Sequence, residues 1–133
     1  MQITLVLTVG LHVLSGVFWA GSTFTLTRAG NGLARRLFRP QMGAAIVAVA
    51  TGGLLWFLFH RGPAGTTEYV LALGAICAVL AAGVQGALGA QALRQAGGAT
   101  ESTNAQARLT IAQRAAAALL AVTVACMAVA RYV

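Results

Sequence analysis

Apolar residues fill four long runs of this chain, and its polar residues gather between them. The runs extend from about Ile3 to Thr27, Gln41 to Phe59, Tyr69 to Leu93 and Ala105 to Ala130. Each is close to or above the ~20 residues that a helix rising 1.5 Å per residue needs to cross a bilayer. The pattern predicts an all-α chain: one domain, four transmembrane helices, an up-down bundle with antiparallel neighbours. The first link holds Gly30, Asn31 and Gly32, then Arg35, Arg36 and Arg39, and Pro40 suits the first turn of the second helix. The second link, Arg61-Gly62-Pro63-Ala64-Gly65, is a breaker cluster. Thr66 or Thr67 is expected to cap the third helix, with Glu68 in its positively polarised first turn. Asn104 is the expected cap of the fourth. Gly83, Gly86 and Gly89 predict a close helix–helix seam along one edge of the third.

Composition sharpens this reading. Of 133 residues, 59 % are hydrophobic and 8 % charged, where soluble domains carry about 25 % charged residues. The bilayer is therefore the main partner. The glycine- and alanine-rich seams suit a homo-oligomer or a larger membrane complex. The net charge of +7 comes from arginines, without a single lysine, and from two acids, Glu68 and Glu101. The arginines cluster: Arg28, Arg35, Arg36, Arg39, Arg94 and Arg108 flank the first and third links, while Arg61 and Arg131 lie at the other end. The positive-inside rule then puts both termini outside and the arginine-rich links in the cytoplasm, in the inner (plasma) membrane of a bacterium. No basic helix or aromatic platform lies outside the spans, which excludes a nucleic-acid partner. The first span is long and runs into arginine-rich sequence, which reads as a membrane span and not as a cleavable leader. Cys77 and Cys126 sit inside apolar runs and imply no structural disulfide.

Candidate chemistry concentrates in the first span. His12, Gly16, Trp19 and Thr23 are spaced 4, 3 and 4, so they share one helix face. An ionisable ring in an apolar span faces protein, a cavity or a cofactor, because lipid does not solvate it. His12 is thus a candidate ligand beside the room left by Gly16; the competing reading is a packing face, with His12 bonded to a carbonyl across the interface. In the second span Gly53, Trp56 and His60 share a face, and antiparallel neighbours would set them against the first group.

His12 followed seven residues later by Trp19, then Ala20 and Gly21, resembles the first-helix pattern of CopD-type copper-resistance membrane domains. The same helix is similar to that of HemJ-type membrane proteins, which bind haem b and are linked to protoporphyrinogen oxidation. The four-span size also resembles one such unit, and the motif covers about one helix in four. The resemblance implies a haem b-binding or redox membrane protein, or a copper-handling one. It also implies a lysine in a later helix for HemJ-type catalysis, which this chain lacks, so no catalytic residue is assigned.

Depth, taken from the arginine-rich end at 1.5 Å per residue, puts His12 about 24 Å up, Cys77 about 25 Å, Cys126 about 27 Å and His60 about 31 Å. Haem iron needs one or two imidazoles, so His12 and His60 are the candidate axial ligands, with Gly16, Trp19 and Trp56 as contacts. Copper(I) favours soft thiolates and thioethers with imidazole, which nominates His12, Cys77 and Cys126, or Met127 in place of its neighbour, since adjacent helical residues point about 100° apart. Buried cysteine is also a common small hydrophobe. A second polar level holds Gln85, Gln113 and Arg114, with Ser22 and Thr23 near it. Arg114 is a candidate anchor for a haem propionate or a quinone head group, or else snorkels to the interface. With only two acids, both near the surface, no paired-carboxylate site forms inside the membrane, and no glycine loop has the strand–loop–helix setting that phosphate binding needs.

Overall fold

The computed structural model describes residues 2–28, 31–59, 62, 65–95 and 102–133. They form four helices: α1 (Gln2–Leu26), α2 (Asn31–Phe59), α3 (Thr66–Gln95) and α4 (Ser102–Val129). All four are long and apolar enough to cross a membrane. The outward faces carry large exposed apolar side chains such as Leu14, Ile46, Phe57 and Ile76, which lipid accommodates and water does not.

The boundaries differ from expectation at three places. α2 begins at Asn31 and continues through Pro40, which lies inside the helix and not in its first turn. The proline removes one backbone bond, and it does so near the arginine-rich end, where water is available to the freed carbonyl. At the start of α3 the cap is not a threonine. The Gly65 amide donates to Glu68 Oε2 at 2.7 Å, so the carboxylate three residues on satisfies an end amide as the glutamate of a capping box does. Asn104 lies within α4, which begins at Ser102.

α1 packs tightly on α2 and α3 on α4, and the two hairpins meet along α1–α4 and α2–α3. The central cluster is Trp19, Ala45, Ala48, Ala81, Ala116 and Leu120. Alanine dominates because lipid offers no hydrophobic drive between helices, so close backbone approach supplies the packing. In the α3–α4 seam, a Cβ added at Gly74 would lie 3.0 Å from Cys126 Cβ, and the Thr123 hydroxyl bonds the Gly74 carbonyl at 3.0 Å. The expected glycine edge of α3 is displaced. Gly89 is buried against the Phe38 ring and Gly86 faces the Met42 thioether, but Gly83 meets open space. The buried stripe of α3 is instead Gly74, Cys77, Ala81, Gln85 and Gly89.

Candidate functional site

Two features stand out inside this apolar bundle. The first is a hydrogen-bonded plug to which every helix contributes. Thr23 (α1), Gln41 (α2), Gln85 (α3) and Gln113 (α4) are each at most 3 % exposed. Trp19 Nε1 donates to Gln85 Oε1 at 2.7 Å. The Gln85 amide donates to Thr23 Oγ1 and to Gln113 Oε1, both at 3.0 Å. Gln41 donates to Thr23 Oγ1 at 2.8 Å and accepts from Gln113 Nε2 at 3.2 Å. Thr23 in turn donates to the Trp19 carbonyl at 2.7 Å. Among the described residues no buried side-chain nitrogen or oxygen is left without a partner. A buried polar group in lipid is costly unless paired, and this network pairs its members with one another across both hairpins.

The second feature is a cleft. Beyond the plug, on the side of the termini, all four helices line a cavity of about 580 Å³, within the ~300–1,000 Å³ of ordinary ligand sites. Gly16 and Ala20 of α1, Gly52 and Gly53 of α2, and Ala75 and Ala78 of α3 make its small-residue walls. Trp19 closes it toward the plug. Val13 and Val17 on one rim and Val79 and Val124 on the other line the cleft yet are 52 to 66 % exposed, so the cleft opens sideways to the bilayer. Among the described residues no charged side chain lines it.

Among the described residues, His12 is the one titratable group in this lining. Its Nδ1 lies 2.9 Å from the Ala48 carbonyl oxygen. A carbonyl only accepts, so Nδ1 donates here, and it is Nε2 that is not engaged by this bond. Thr51 Oγ1 stands 3.1 Å from the same nitrogen; its own hydrogen is directed to the Val47 carbonyl at 2.6 Å, so it too receives the imidazole proton. Gly52 makes the floor beneath the ring: a Cβ there would lie 3.0 Å from His12 Cε1 and 3.5 Å from Nδ1. The cross-interface carbonyl bond is thus present, and it is also the bond that fixes ligating histidines in metal sites.

The other sequence candidates separate. Gly16 and Trp19 join His12 at the cleft as their spacing predicts. Trp56 does not: it is 37 % exposed on the outside of α2, and His12 meets Ala48, Thr51 and Gly52 instead of the Gly53–Trp56 face. His60 lies outside the described residues. The copper set is not brought together. Cys126 is buried against Gly74, Cys77 is buried on α3, and neither lines the cleft. Among the described residues no three His, Cys, Asp or Glu side chains group closely enough to hold a metal ion. Of the adjacent pair, Met127 faces the cleft and Cys126 does not. Arg114 is exposed on the outer side of α4 and is absent from the cleft lining. Gln41 and Thr51 were not foreseen, and Gly52, which with Gly53 reads from the sequence as close packing, packs against His12 while Gly53 meets nothing within 4 Å; only the polar character of Gln41 at the edge of an apolar run hinted at the plug. No protein-family model, no curated protein and no solved structure matches this chain.

Proposed function

We propose that this chain is a redox-active integral membrane protein that binds haem b in the cleft, with Nε2 of His12 as axial ligand. The observation that carries the reading is the fixed imidazole: Nδ1–H committed to the Ala48 carbonyl, on the wall of a cleft lined by glycine and alanine. A flat macrocycle needs small residues against its faces and one nitrogen ligand of fixed orientation. When bound, haem b supplies one-electron chemistry. The protein's share is to hold the imidazole, to raise its basicity through the carbonyl bond, and to keep water out with apolar walls and the plug. Among the described residues the lining has no charged group.

The finer localisation belongs to the same proposal: a plasma membrane with both termini on the outer face, from the arginine asymmetry. Self-association or docking on a larger complex would use the exposed apolar faces. The visible spectrum and iron content of the purified protein test the function. A Soret band in the parent, lost or strongly altered in His12→Ala while the bundle still inserts, is the expected result. His60→Ala separates one-imidazole from two-imidazole ligation. A His12→Ala protein with the parental spectrum and metal content overturns the reading.

A further inference from the structure

The central cluster takes Trp19 from α1, Ala45 from α2, Ala81 from α3 and Leu120 from α4, so these residues mark one level of the bundle. Seven residues from each of them toward the termini, two helical turns or about 10.5 Å, lie His12, Gly52, Gly74 and Met127. Two contacts verify the count. A Cβ at Gly52 would lie 3.0 Å from His12 Cε1, and one at Gly74 would lie 3.0 Å from the Cβ of Cys126, the neighbour of Met127. His12 and Met127 therefore stand at the same level.

They reach the cleft from different walls. The His12 ring lies against α2, with Nδ1 2.9 Å from the Ala48 carbonyl oxygen and Gly52 beneath its edge. Met127 belongs to α4, which touches α2 least of all the helix pairs in contact, so the two helices stand diagonally across the bundle. Cys126 turns into the α3–α4 seam, and the step of about 100° to the next residue brings Met127 into the lining.

Among the described residues, the lining side chains that carry a nitrogen, oxygen or sulfur are His12, Trp19, Thr123 and Met127. Trp19 offers only an N–H, which goes to Gln85 Oε1 at 2.7 Å. Thr123 Oγ1 lies 3.0 Å from the Gly74 and Leu119 carbonyls, and a threonine hydroxyl is not among the side chains that hold haem iron. What remains is Nε2 of His12, which carries a lone pair in the neutral ring, and the thioether of Met127. Histidine with methionine is an ordinary axial pair for haem iron.

On the haem reading of the cleft, on which this rests, we propose that Met127 Sδ is the second axial ligand, across from Nε2 of His12, and that His60 is not. A thioether in place of a second imidazole raises the reduction potential, so Met127 makes this a high-potential site.

The purified full-length protein, with the haem it carries from expression, tests this by its ferric absorption spectrum and by redox titration. The parent should show a Soret band together with the weak sulfur-to-iron charge-transfer band in the far red. Met127→Leu conserves apolar volume and removes the sulfur. It should keep the Soret band, lose the far-red band and titrate at a lower potential. Met127→His should restore a six-coordinate spectrum, still without the far-red band. His60→Ala should match the parent in both bands and in potential. If Met127→Leu does not insert, the parent grown on selenomethionine reads the same ligand: its far-red band should move. A parental spectrum and potential in Met127→Leu overturns Met127 as ligand. So does a far-red band that is absent from the parent, unmoved by selenium or lost in His60→Ala. A Soret band lost in His12→Ala and a potential indifferent to Met127→Leu overturn this assignment alone. No Soret band in the parent, or one unchanged in His12→Ala, overturns the haem reading and this assignment with it.

Discussion

Replacing Gly52 by alanine tests the heart of the site with one methyl group. The new Cβ would lie 3.0 Å from His12 Cε1 and 3.5 Å from Nδ1, whereas carbon atoms rest at about 3.5–4.0 Å. The ring must give way by about half an ångström, and it is held by a 2.9 Å bond to the Ala48 carbonyl. Displacement stretches that bond, and a side-chain hydrogen bond in a membrane protein is worth about 0.6 kcal/mol and at most about 1.7. Against this, alanine favours the helix over glycine by about 1 kcal/mol. The two nearly cancel, so stability alone is a poor readout without a reference. Gly43 provides one. It lies on the same helix, and a Cβ there meets nothing within 4 Å. Gly43→Ala should gain the full helix preference; Gly52→Ala should fall short of it by about 0.6–1.7 kcal/mol, measured by denaturation in mixed micelles. On the proposed haem reading, Gly52→Ala should also weaken or shift the Soret band, and Gly43→Ala should not. Equal stability and equal spectra for the two variants would refute the claim that Gly52 sets the position of His12.

Gln85→Leu should destabilise by about 1–3 kcal/mol, because it leaves the buried Trp19 N–H without its acceptor. Adding Trp19→Phe should recover part of that loss, and strict additivity in this double-mutant cycle would count against the bond. Cys77→Ala with Cys126→Ala should leave the spectrum and metal content unchanged, since neither thiol lines the cleft; loss of bound metal would bring the copper reading back. For topology, engineered cysteines at Gly62 and Val133 should react with a membrane-impermeant thiol reagent in intact cells, and one at Gln91 should not. The reverse pattern would invert the orientation.

The spans were legible because lipid demands long uninterrupted apolar runs, and the shared face of His12, Gly16, Trp19 and Thr23 was legible because helix spacing alone sets it. The polar level of Gln85, Gln113 and Thr23 could also be found by counting residues from the arginines. What spacing cannot give is the rotation of one helix against its neighbour. In a soluble bundle a polar stripe marks the outside, but here the buried and lipid-facing sides are both apolar. Trp56 on the outside and Trp19 at the centre therefore look alike in sequence. The same ambiguity hid Thr51 and Gly52 as the neighbours of His12, and left open whether Arg114 faced in or out. Gln41 was hidden differently: it stands where arginine-rich sequence gives way to apolar sequence, and so read as a boundary.

The plug and the cleft depend on each other physically. A core built from alanine gives little shape to distinguish one register of two hairpins from another, and apolar packing in lipid has no hydrophobic term to hold them together. The glutamine–threonine–tryptophan network supplies direction: Gln85 is satisfied only when Trp19, Thr23 and Gln113 are all in place. It clamps the hairpins at one end. On the side of the termini from this clamp lies the cavity on whose wall His12 stands. Trp19 belongs to both, its N–H in the network and its side chain on the wall of the cleft. On the reading proposed above, a ligand in the cleft would rest against a plug whose Thr23, Gln41, Gln85 and Gln113 are each at most 3 % exposed.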